Sequence, residues 1–129
     1  MRATIHRDET DPSLLLVSLP ENWEWHDFRV AILELCEILK AADEKLDIII
    51  KLPSSPALAD LRMFSQMWQL MEQCDLPVYG NHVIASPSPV VRVAVNLVRR
   101  MRSPASMNLT AATSEEEARA ILALRRKRD

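Results

Sequence analysis

Glycine is nearly missing from this chain: average usage would supply about nine in this length, and there is one, Gly80. A Walker loop needs two glycines, a dinucleotide fingerprint three and a nucleophile elbow two, because backbone must approach phosphate or turn through positive φ. All three are excluded. Cysteine is equally scarce. Cys36 and Cys74 cannot build a four-thiolate zinc site, and no Cys-x-x-Cys occurs. No apolar run approaches the roughly 18 residues that cross a bilayer, so no membrane span is expected. The opening residues Met1 to Asp8 lack the hydrophobic core of a signal peptide. Together these absences predict a cytoplasmic protein whose two thiols stay reduced, as buried structural cysteines.

What is present fits one domain over residues 1–129, with 48% hydrophobic and 26% charged residues. The formal net charge is −2, too weak a field to attract nucleic acid. Its distribution is uneven. Residues 1–75 hold fourteen acids and seven bases, whereas residues 76–129 hold four acids and nine bases. The late bases, Arg92, Arg99, Arg100, Arg102 and Arg125 to Arg128, lack interleaved aromatics, so nucleic acid is not an expected partner. Cations near helix C-termini complement the helix dipole, and the second group reads as a fraying end.

The hydrophobic periods alternate between strand and helix. Leu14 to Leu19, Leu46 to Leu52, Gly80 to Ser86 and Met107 to Ala111 read as strands, with Thr4 to Arg7 as a shorter one paired through the polar turn 8–13. From Asp27, apolar residues at Phe28, Ala31, Ile32, Leu35 and Leu39 follow helical spacing. Ser55-Pro56 and Ser88-Pro89 each place a capping hydroxyl before proline at the first helical position. The helix after Ser55 is expected to run to about Cys74. Ser114 to Glu117 reads as a capping box opening a last helix. Such alternation implies an α/β fold: a single mixed, mainly parallel sheet of four to five strands, with about four helices on both faces.

Several segments resemble the SpoIIAA-like, or STAS, family of domains: Val17-Ser18-Leu19, Trp25-His26-Asp27-Phe28, Asp47-Ile48-Ile49-Ile50, His82-Val83-Ile84 before Ser88-Pro89, and Thr113 to Ala118. The resemblance spans nearly the whole chain. It implies a domain used for protein partnership, regulation or binding a small ligand, in a fold similar to that of the CRAL-TRIO lipid carriers; with no catalytic signature in the sequence, the expectation is a regulatory or protein-interaction module rather than an enzyme, with a protein partner and no cofactor. In the family's antagonists a serine after a central strand is phosphorylated within Asp-Ser-Ser-Gly. The matching turn here, Lys51-Leu52-Pro53-Ser54-Ser55-Pro56, keeps the serine pair, making Ser54 and Ser55 the phospho-acceptor candidates. It lacks the Asp and the Gly, so the switch itself is not well matched.

Parallel strands would gather the hydroxyls of Ser54, Ser55, Ser86, Ser88 and Ser114 on the strand C-terminal edge, where helix N-termini can hold an anion. The plainer reading is ordinary capping. Trp23, Trp25, Met63, Met67, Trp68 and Met71 form a second candidate set, lining an apolar partner surface or a pocket for a small apolar or lipid-like ligand. The plainer reading there is core closure. The second helix is apolar around most of its circumference, which suggests an exposed patch or a homodimer surface. His6, His26 and His82 show no ligand spacing, and no nucleophile accompanies His82 with Asp27 or Lys51. No catalytic or metal residues are assigned.

Overall fold

The computed structural model describes residues 3–42, 45–72, 80–100 and 108–128. Met71, by its side chain, and Cys74, Met101, Arg102 and Met107 lie outside this description. Five strands form one sheet in sequence order: β1 (Thr4–Arg7), β2 (Leu14–Ser18), β3 (Asp47–Lys51), β4 (His82–Ala85) and β5 (Leu109–Ala112). β1 runs antiparallel to β2, and the remaining pairs are parallel. The hairpin turn is held by Asp11, whose carboxylate accepts from both the backbone N–H and the hydroxyl of Ser13. The expected fold class is therefore found.

Because each parallel crossover steps in the same direction, right-handed connections return every crossover helix to one face. α1 (Trp25–Ala41), α2 (Leu61–Glu72) and α3 (Pro89–Arg99) accordingly share a core with Leu15, Val17, Ile48, Ile50, Ile84 and Leu109. Among the described helices, α4 (Glu115–Arg128) alone takes the other face, burying Ala118 and Leu122 on Leu14, Leu16, Ile49 and Val83. β3 is sealed on both sides, which is why Ile48-Ile49-Ile50 reads as an unbroken apolar run.

Local details depart from the sequence expectation where side chains choose other partners. Pro56 opens not the long second helix but a 3₁₀ turn, Pro56–Ala59, capped by the Ser55 hydroxyl. The chain breaks at Asp60, whose carboxylate accepts from Arg62 N–H and restarts the helix. At α3 the Ser88 hydroxyl makes no cap hydrogen bond. Ser86 Oγ accepts from Ser88 N–H instead. At α4 only half of the capping box forms: Ser114 Oγ accepts from Glu117 N–H, while the Glu117 carboxylate accepts from the Thr113 hydroxyl.

Two further expectations are corrected. Cys36 is disulfide-bonded rather than a reduced thiol; whether thiols far apart in sequence come within bonding reach is decided by tertiary packing and not by composition. Arg125 and Arg126 do not fray. Arg126 donates to Asp47 and to Asp11, and Arg125 donates to Asn81 and to Thr110. Two buried apolar residues leave α4 a narrow hydrophobic footing, and these guanidinium clamps supplement it. The sole glycine serves close packing rather than a turn: a Cβ on Gly80 would lie 1.8 Å from the Leu46 carbonyl oxygen.

Candidate functional site

The four parallel strands end together, so the turns after them line one edge of the sheet. Open clefts lie along that edge among the described residues. The first, about 520 Å³, is lined by Asn22, Trp23, Trp25, Ser55, Pro56 and Ala57. A second, about 290 Å³, lies among Lys51, Pro53, Pro87, Ser114 and Glu115. A third, about 210 Å³, is bounded by Ser86, Ser88, Arg92 and Thr113. Sequential strand order gives no reversal of winding, so the edge has no crevice of the kind that seats ligands at a topological switch point.

The serines do gather on this edge, and three of them serve the backbone. Ser55 Oγ donates to the Trp23 carbonyl at 2.6 Å and accepts from Ala57 N–H. Ser86 is buried and Ser114 caps α4. Ser88 is half-buried, and Ser54 alone of the five is exposed without a hydrogen bond among the described residues. Lys51 and Glu115 form an ion pair at 3.0 Å. Hydrogen bonds from Lys51 and then Arg119 hold the Glu115 carboxyl below its usual range.

The tryptophans divide instead of converging. Trp23 is fully buried, and its indole N–H donates to the Pro53 carbonyl at 2.6 Å. Trp25 is half-buried and donates to Ala57 across 2.9 Å. The two rings meet edge-on with centroids 4.9 Å apart, and Phe28 and Phe64 extend the cluster. These contacts fix the start of α1 to the 3₁₀ turn and leave part of Trp25 facing the first cleft. Trp68 is fully buried and packs on His82, with ring centroids 5.5 Å apart. Met63 and Met67 are half-buried on α2. No large hydrophobic is exposed among the described side chains of α2, whose outward residues are Arg62, Gln66 and Gln69. The exposed apolar line falls on α3 instead, at Val90, Val93 and Leu97.

The opposite sheet edge holds the buried ionisable groups, a feature the sequence reading missed. Asp47 and His82 begin β3 and β4 and are 7% and 1% exposed. Desolvation drives the His82 pKa down to about 4, with the Asp47 charge opposing it. Polar first residues on otherwise apolar strands were the available signal. Lys51 lies opposite Ala85, three residues beyond His82, so strand register separates it from the histidine. Among the described residues no group of three or more His, Cys, Asp or Glu could hold a metal ion. No described helix is long and apolar enough to cross a membrane.

No protein-family model, curated protein or solved structure matches this chain.

Proposed function

We propose that the chain is a non-enzymatic, cytoplasmic protein-interaction module of the SpoIIAA-like type, a single domain whose partner docks on the strand C-terminal edge at the Trp25 cleft. The observation that carries this reading is Trp25 itself. Its ring is locked by an indole hydrogen bond and three aromatic neighbours, yet it keeps an open face beside Pro56 and Ala57. A rigid, half-buried tryptophan offers contact area at little entropic cost, which is what interface hot spots require. The mixed α/β sheet and its four helices fit the family resemblance.

Within this reading Ser54 is the hydroxyl open to a kinase, whereas the Ser55 hydroxyl is already engaged on both sides. A cytoplasmic location predicts that the Cys36 disulfide is reduced in the host, since such bonds are rare there. Mass analysis of alkylated protein from its host settles that point.

The test is affinity purification from the native host with the wild type and with Ala57→Arg, which places a long cation in the cleft, a thermal melt of the variant checking that the fold is kept. A partner recovered with wild type and lost with the variant supports the proposal. Measured turnover of a substrate, or the same partner retained by the variant, overturns it. A co-purifying apolar ligand in native mass spectrometry would favour a carrier instead.

A further inference from the structure

α3 and α4 reach the start of β5 from opposite faces of the sheet, and each brings an arginine there. α3 leaves the end of β4 and returns the chain towards β5, so its last turn lies at the strand starts. Arg92 and Arg99 are seven residues apart and share one flank of that helix. Arg92 lines the cleft with Ala111, Ala112 and Thr113 at the end of β5, so this flank faces the strand and Arg99 falls beside its first residues. From the other face, Arg125 of α4 donates to Asn81 Oδ1 at 3.2 Å and to the Thr110 hydroxyl of β5.

Neither guanidinium has a carboxylate beside it. No ion pair among the described residues includes Arg99 or Arg125, whereas Arg119 and Arg126, on the opposite flank of α4, each meet acids. The sequence gives the reason. From Leu76 through Ser114 there is no Asp or Glu, while Arg92, Arg99, Arg100 and Arg102 all fall within that stretch. Asn81 and Thr110 hold Arg125 in place as neutral acceptors and leave its charge uncancelled. Burial first, and then the Arg99 charge, hold the Arg125 pKa below its usual range, with the Asp47 charge opposing. Asp47 is itself engaged by Arg126. A half-buried cation kept beside a second one costs the fold free energy unless an anion joins them. Arg100 and Lys127 are exposed at the same two helix ends and add to the field. The helix C-terminal dipoles offset roughly one of these four charges.

We propose that Arg99 and Arg125 together bind a small multivalent phosphate anion, such as pyrophosphate, at the start of β5. Two guanidiniums present forked N–H donors that match tetrahedral oxyanions carrying more than one charge, and the bonds to Asn81 and Thr110 fix the position of one fork. A monocarboxylate would neutralise one arginine and leave the other. A nucleic-acid strand is less suited, because no aromatic is exposed among the described residues to stack a base. The site lies at the sheet edge opposite the Trp25 cleft and shares no residue with it, so it is tested independently of that reading.

The experiment is isothermal titration of the full chain with inorganic pyrophosphate. Saturable binding is expected with Kd on the order of 0.1–1 mM at low salt, weakening severalfold as salt is raised. Arg99→Gln should weaken it at least about tenfold, and Arg125→Gln by as much or more. Arg125→Gln also loses the bonds to Asn81 and Thr110, so the exposed Arg99→Gln is the deciding variant. Arg92→Gln makes the same charge change at the far end of the flank and should stay within about twofold of wild type. Without ligand, Arg99→Gln should melt no lower than wild type, because it removes a repulsion. Absence of saturation by about 10 mM, wild-type affinity in Arg99→Gln, or an equal loss in Arg92→Gln overturns the proposal. A clear drop in the ligand-free melting temperature of Arg99→Gln does so too, since it assigns that residue a structural role. So does Arg99-dependent binding of a single-stranded RNA oligomer or of phosphatidylserine vesicles while pyrophosphate fails to bind.

Discussion

Arg126, two residues from the end of α4, donates through Nε to the Asp47 carboxylate at the start of β3 across 2.8 Å. The same carboxylate accepts from the backbone N–H of Asn81, at 2.9 Å, just before β4. One buried acid thus joins α4 to two neighbouring strands.

Replacing Asp47 with Ala should therefore be costly. It removes the acceptor of the Asn81 N–H and strips Arg126 of its innermost partner, a loss of about 2–4 kcal/mol. Urea denaturation should show the midpoint falling with little change in slope. A midpoint shift equivalent to less than about 0.5 kcal/mol would show that the clamp contributes nothing to stability.

Gly80→Ala puts a methyl group 1.8 Å from backbone oxygen of Leu46, and backbone cannot swing aside as a side-chain tip can. The expected destabilisation exceeds about 3 kcal/mol, among the larger single-residue effects. A thermal melt within a degree of wild type would contradict the close approach.

Acid should weaken the fold through His82 before it reaches Asp8. His82 protonates only near pH 4 when folded, against an ordinary value of 6.5, because burial penalises the cation. Above pH 6.5 the group has no effect. Between 6.5 and 4 the unfolded chain takes up the proton first, so stability declines, by about 2 kcal/mol from pH 7 to pH 5. His82→Phe keeps a ring against Trp68 and should abolish the difference between urea midpoints at those two pH values. Asp8, held down to about 2 by its hydrogen bonds from Arg119 and Thr10, loses its contribution only at lower pH, so the two effects separate.

Ser54 and Ser55 should behave oppositely although they are adjacent. Ser55→Ala removes the cap of the 3₁₀ turn and a hydrogen bond to Trp23, costing about 1–2 kcal/mol. Ser54→Ala should change stability by less than about 0.5 kcal/mol. Chemical denaturation of the two single variants compares them directly; equal effects would contradict the hydrogen-bond pattern of this turn.

The elements were legible because each hydrophobic period is local. Ile48-Ile49-Ile50 reads as a strand buried on both faces, and Phe28, Ala31, Ile32 and Leu35 read as one helical stripe; both are found so. The second helix was misjudged at its start because Ser55-Pro56 specifies a first turn without specifying its length, and Asp60 then recaps the chain. The edge that collects the serines follows from parallel alternation alone. Whether a serine there meets a ligand or its own backbone is decided by distances of a few tenths of an ångström, which no spacing rule contains.

Apolar periodicity, proline and capping positions by themselves determined that this chain makes a mainly parallel sheet with helices between its strands, since burial of a face and satisfaction of a helix end are settled within a few residues. Tertiary structure alone decided that Arg125 and Arg126 are clamps, that Trp25 keeps an open face while Trp23 and Trp68 do not, and that Val90, Val93 and Leu97 are left uncovered. Those outcomes depend on which distant residue arrives opposite each side chain, and the pairings of Arg126 with Asp47 and of Trp23 with Pro53 exist only once the strands are in register.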